Sequence, residues 1–186
     1  VSPIIGLAIK LLKDAAVRYA RGDEPDRGEW RGKYALRDTG RHVDGAAIFV
    51  CAIDADDPLR FFHYKSGLEF STAARIFHTD LGSIPWFAQE LKELQLKPGD
   101  FERSYVFHDA AYQTGRLLVR NLTHSPDWAE MTITRRDADV LLHDCLSADR
   151  TPDGKPCTRE TCVAVWRAVE MFAGGPWDRY RQQEGA

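Results

Sequence analysis

The stretch Tyr105-Val-Phe-His108-Asp109-Ala-Ala-Tyr112 constrains this chain more than any other. Read as a helix, its tyrosines, histidine and carboxylate fall at i, i+3, i+4 and i+7, so all four project from one side. Val106, Phe107, Ala110 and Ala111 fill the remaining positions. Such a helix is apolar around most of its girth and belongs inside the protein, so its polar groups need partners. A half-buried histidine beside a carboxylate is a starting point for catalysis or metal binding. The alternative is a structural His–Asp pair that satisfies nearby backbone.

A chain of 186 residues is long enough for one domain with a sizeable core. Its 44% hydrophobic and 28% charged residues are those of a globular protein. A net charge of −3 provides no basic field, so specific nucleic-acid binding is not expected. Cys51, Cys145, Cys157 and Cys162 show no C-x-x-C spacing and read as reduced packing residues of a protein made in a cytoplasm.

Residues 3–20 read as an amphipathic helix opened by Pro3 after Ser2. Its apolar stripe is Ile4, Ile5, Ala8, Leu11, Leu12 and Ala15. That stripe can pack on its own domain, dock on a partner, or lie on a membrane surface. Residues 21–45 are rich in glycine and charge and read as a linker or mobile loop. Strand candidates follow at 47–53, 59–64, 68–72 and 74–78, after which the chain reads as mainly helical.

A short helix is expected from Trp86 to Leu94, and the central helix from about Phe101 to Gly115. Asn121 to Trp128 reads as a loop between helices. Thr134-Arg-Arg-Asp137 reads as a capping-box start to a helix with the core stripe Ala138, Leu141, Leu142 and Cys145. A last helix begins near Thr158 and ends at Gly174-Gly-Pro176, followed by a charged, partly mobile tail.

The expected fold is α+β: a small antiparallel sheet packed on three or four helices, with an N-terminal helical extension. The expected parts are residues 1–45 as helix and linker, 46–178 as a single domain, and 179–186 as the tail.

Two chemistries fit the polar residues. In one, His108 is a general base, Asp139 fixes its tautomer with Tyr112 nearby, and Asp109 with Asp80 holds Ca²⁺ or another divalent metal. In the other, the pairs His108–Asp109 and His143–Asp144 join Asp80 or His78 at a transition-metal site. A lone helical histidine such as His143 is also expected on a surface or between paired helices. The residues leave open whether the chain is an enzyme.

Thr79-Asp80-x-x-Ser83-Ile84-Pro85, His108-Asp109-x-x-Tyr112 with Thr114-Gly115-Arg116, and Arg136-x-Ala138-Asp139 occur in that order. Together with Phe172-Ala-Gly-Gly-Pro-Trp177, they resemble a phage- and prophage-associated family of uncharacterised proteins. The resemblance covers about residues 74–178 and implies a phage setting: synthesis in the host cytoplasm, with virion association as one outcome. A fainter likeness is to secreted phospholipase A2. That likeness implies a catalytic His108, a metal-binding Asp109 and a supporting Asp139. The chain lacks that family's glycine-rich calcium loop and flanking cysteines.

The expectation is therefore a phage-derived hydrolase acting on an ester or phosphoester of a lipid or cell envelope. The alternative is a non-enzymatic virion or tail-associated protein whose His–Asp network is a brace. Its residues 3–20 would then dock on phage structural proteins or a membrane surface.

Overall fold

The computed structural model describes residues 2–43, 45–81, 96–97, 99–172 and 174–184. Its class is the expected α+β. The helices are α1 (Pro3–Ala20), α2 (Glu102–Thr114), α3 (Arg135–Ser147), α4 (Arg159–Phe172) and α5 (Gly174–Glu184). The strands are β1 (Gly28–Arg31), β2 (Tyr34–Val43), β3 (Ala46–Ile53), β4 (Arg60–His63), β5 (Leu68–Thr72), β6 (Ile76–Thr79), β7 (Arg116–Asn121) and β8 (Ser125–Thr132).

The strands form two antiparallel sheets rather than one small one. Five strands run in the order β1-β4-β5-β7-β8 and three in the order β2-β3-β6. The helix expected at Trp86–Leu94 and the Ser83-Ile84-Pro85 segment lie outside the described residues.

α1 turns its stripe onto the chain's own core. Ile4, Ala8, Leu12, Ala15 and Tyr19 are buried against Phe61, Phe70, Leu117, Met131 and Leu141. The stripe is therefore covered, although Leu7 and Val17 on the opposite side stay exposed. Among the described residues no helix is long and apolar enough to cross a membrane.

α2 sits where three cores meet. Phe107 and Ala111 pack toward the five-stranded sheet. Val106 and Ala110 pack toward Cys51, Ile53 and Phe77 of the three-stranded sheet. Phe101 and Tyr105 pack on Leu142, Leu146, Cys162 and Val165 of α3 and α4. Tyr105, His108 and Tyr112 all meet α3, as their spacing predicts, while Asp109 is bound by Thr79 of β6.

Three expectations are corrected. Residues 21–45 are not a linker, because β1 pairs with β4 and β2 with β3. Two of the glycines that gave this segment its loop-like texture, Gly28 and Gly32, sit at close approaches. Gly32 has φ +84°, and a Cβ on it would collide with the Pro58 carbonyl.

Residues 116–133 are not an inter-helix loop but the β7–β8 hairpin. Its turn is held by Asn121 Oδ1, which accepts the amides of Thr123 and His124 at 3.0 and 3.2 Å. The tail is not a loose end either: Gly174-Gly-Pro176 opens α5, and Trp177 sets its ring edge-on to Tyr112 at 5.2 Å.

The capping box at Thr134 forms as expected. Asp137 Oδ2 accepts the Thr134 amide at 2.8 Å, and Thr134 Oγ1 accepts the Asp137 amide at 3.2 Å.

Because α1 is part of the core, Leu12→Ala should cost about 2–5 kcal/mol of stability. Leu7→Ala should change it by no more than about 0.5 kcal/mol. Urea unfolding of both variants checks this, and equal small effects would show that α1 is not docked as described.

Candidate functional site

The α2 backbone is anchored at both ends. At its start Asp149, from the loop after α3, accepts from the Ser104 amide at 2.9 Å and the Ser104 hydroxyl at 2.8 Å. A carboxylate at a helix N-terminus also meets the positive end of the helix dipole. At the far end Gly115 adopts φ 62°, and its amide donates to the Ala111 carbonyl at 2.8 Å. The side chains between these anchors are thus held to fixed directions.

His108 and Tyr112, one turn apart, both face α3. His108 Nε2 lies 3.0 Å from Asp139 Oδ1, and the Tyr112 hydroxyl donates to the same oxygen at 2.5 Å. The two rings lie 4.2 Å apart between centroids. Burial first, and then the Asp139 charge, push the Tyr112 hydroxyl far above its ordinary value. Tyr112 therefore remains a donor, and Asp139 acts as the acceptor of two bonds.

With Nε2–H donating to Asp139, the Nδ1 lone pair of His108 is left to accept a proton. His108 is 7% exposed and Asp139 1%, so the ring is nearly enclosed. These three residues are the expected catalytic set, and the structure brings them together.

Asp109 faces the other way, toward β6. Thr79 Oγ1 donates to Asp109 Oδ2 at 2.6 Å. Burial, followed by the charge of Asp80, pushes the Asp109 carboxyl up to about 8, against the Thr79 hydroxyl and the Asp80 amide. Asp80, whose amide meets the Asp109 carboxyl, lies on the same side of α2, and both side chains offer hard oxygen donors of the kind a divalent cation takes. Among the described residues no third histidine, cysteine, aspartate or glutamate joins them at ligand spacing.

The second expected chemistry, a single site from two His–Asp pairs, does not form. His143 is 1% exposed rather than on a surface. It stacks on Tyr19 at 4.6 Å and meets Trp166 edge-on at 5.4 Å, so it pairs helices. Asp144 turns toward Tyr19, accepting its hydroxyl, and accepts the Asp26 amide at 2.9 Å. His78 is exposed.

Asp26 and His63 were not singled out in the sequence, because one lay in an apparent linker and the other ended an apparent strand. Their one local signal is the polar histidine at the end of an apolar run. The cysteines are free, with Cys51, Cys145 and Cys162 buried.

No protein-family model, curated protein or solved structure matches this chain.

The raised carboxyl of Asp109 makes stability depend on pH. The folded state keeps a proton that the unfolded chain releases above the ordinary carboxylate range. That contribution is full below about pH 4 and is lost as pH rises toward about 8. Asp144, also pushed up to about 8, acts in the same sense. Urea unfolding with a chelator present should show wild type losing stability between about pH 5 and pH 8. Asp109→Asn should flatten that fall, and a variant with the wild-type slope would refute a raised Asp109.

Proposed function

We propose that this chain is a hydrolase of phage origin that uses His108 as general base on an ester or phosphoester bond. One observation carries the reading: Asp139 Oδ1 accepts from His108 Nε2 at 3.0 Å while Tyr112 holds the same oxygen at 2.5 Å. Both contacts fix one tautomer, with Nδ1 as the proton acceptor. Nδ1 takes a proton from water, and the hydroxide oxygen bonds to the carbonyl carbon or phosphorus. The bond to the leaving oxygen breaks, and the proton on Nδ1 passes to that oxygen.

The imidazolium formed on the way is stabilised by the Asp139 carboxylate. Tyr112 is a positioning residue, since its hydroxyl keeps Asp139 aimed at the ring. Asp109 and Asp80, on the β6 side of α2, are the residues that would hold a divalent cation, which would supply Lewis-acid charge there. The motif order that resembles a phage-associated family, and the likeness to phospholipase A2, support lipid or cell-envelope esters as the substrate class.

A second reading has its own observation: His108 at 7% and Asp139 at 1% exposure suit a structural brace in a virion or tail-associated protein. One experiment separates the two. Purified chain is assayed against a panel of lipid esters, phosphodiesters and phosphomonoesters, with divalent cations present. We expect His108→Gln to remain folded and to lose about 10²–10⁴-fold in kcat. Asp139→Asn should lose a similar factor, and Tyr112→Phe about tenfold. Hydrolysis that survives His108→Gln, or none above background in wild type, would leave the brace as the better reading.

A further inference from the structure

We propose that Asp26, His63 and Asp144 form a site for one divalent transition-metal ion, zinc by preference, separate from the His108 centre. The three come from distant parts of the chain: the segment between α1 and β1, the last residue of β4, and the middle of α3. One imidazole nitrogen and two carboxylate oxygens, one ligand atom from each, lie within 4.8 Å of one another. Ligands about 2.0–2.2 Å from a tetrahedral zinc stand about 3.3 Å apart, so closure on the order of 1 Å seats the ion.

Two unpartnered atoms point to a missing ligand. His63 and Asp144 are both 0% exposed, yet His63 Nε2 and Asp144 Oδ2 have no hydrogen-bond partner. Fully buried polar atoms are normally satisfied. His63 Nε2 faces Asp26 Oδ2 at 3.3 Å without hydrogen-bond geometry.

The remaining atoms of the cluster are held by a supporting shell. His63 Nδ1 is 2.8 Å from Ser66 Oγ and 3.2 Å from the Ser66 amide. Nδ1 accepts from the Ser66 amide, which fixes the ring, and the Nε2 edge faces Asp26 and Asp144, where a bound ion would replace its proton. Arg18 donates to both oxygens of Asp26, at 3.1 and 2.5 Å. Asp144 Oδ1 accepts from the Tyr19 hydroxyl and the Asp26 amide.

Charge favours a cation here: the two carboxylates of Asp26 and Asp144 converge on the site, and Arg18 is bound to Asp26 alone. Mixed imidazole and carboxylate ligation favours zinc over calcium, which takes six to eight oxygens. The ion would tie the Asp26 segment to β4 and α3, beside the Tyr19 end of α1.

The test uses full-length protein stripped with a chelator and titrated with Zn²⁺ or Ca²⁺ by calorimetry, with matched thermal melts. In Asp109→Asn protein, which lacks the other candidate cation position, we expect one zinc per chain, a raised Tm, and much weaker calcium binding. Asp144→Asn keeps the side chain's size and should fold, while lowering zinc affinity at least tenfold. His63→Gln should do the same, and Ser66→Ala should weaken binding by about tenfold.

His108→Gln, Asp109→Asn and Cys157→Ser should leave this affinity unchanged, so failure here stands apart from failure of the hydrolase reading. Wild type that takes up no zinc would overturn the proposal. So would zinc affinity that Asp144→Asn and His63→Gln leave intact, or that Cys157→Ser or Asp109→Asn abolishes.

Discussion

The structure depends on a helix that has no free side. α2 meets the five-stranded sheet through Phe107 and Ala111, the three-stranded sheet through Val106 and Ala110, and α3 with α4 through Tyr105. Its polar side chains must therefore be satisfied by protein. Each finds its partner on a different neighbour: Ser104 on Asp149, His108 and Tyr112 on Asp139, and Asp109 on Thr79. The same contacts that fill the core also orient the polar groups. Positioning of the candidate site is a consequence of burial, with no separate device for it.

α3 divides the polar interior in two. Asp139 and Asp144 are five residues apart, which on a helix is a rotation of about 140°. Asp139 therefore faces α2, and Asp144 faces α1 and the Asp26 segment. Two carboxylates on one short helix serve separate centres without competing for partners. His143, next to Asp144, fills the space toward Tyr19 and Trp166 with its ring. Burial lowers its proton affinity to about 4, so it packs as a neutral group.

Much of this was legible in the sequence where the signal is local. The i, i+3, i+4 and i+7 pattern located α2, and Thr134 with Asp137 located the start of α3. The set His108, Asp139 and Tyr112 followed, because each member lies on a helix with a readable face. The strands β1, β2, β7 and β8 were not legible, for a physical reason. β1 and β2 carry charge because they are only partly buried, and Gly28 of β1 sits where the Phe62 carbonyl comes close. β7 does alternate, with Leu117 and Val119 buried, but its turn residues outweighed six residues of pattern. The Tyr19–Asp26–His63–Asp144 cluster was invisible because it exists only through contacts between residues far apart in the chain.

The two polar anchors of α2 show what separates a brace from a chemical site. Asp149 uses one oxygen to accept both Ser104 donors and the other to accept the Arg150 amide at 2.8 Å. That is a complete cap, and its role ends with the helix start. Asp139 is arranged differently. It takes two donors on Oδ1 and leaves Oδ2 buried without a partner. One of its donors is a titratable ring whose other nitrogen it leaves as a lone pair. Asp144 shows the same one-sided pattern, with both donors on Oδ1 and Oδ2 unpartnered. At Asp139 the two donors share one oxygen, so the Tyr112 hydroxyl and the His108 ring are held by the same acceptor. That asymmetry distinguishes the Asp139 carboxylate from the Asp149 cap at the other end of the same helix.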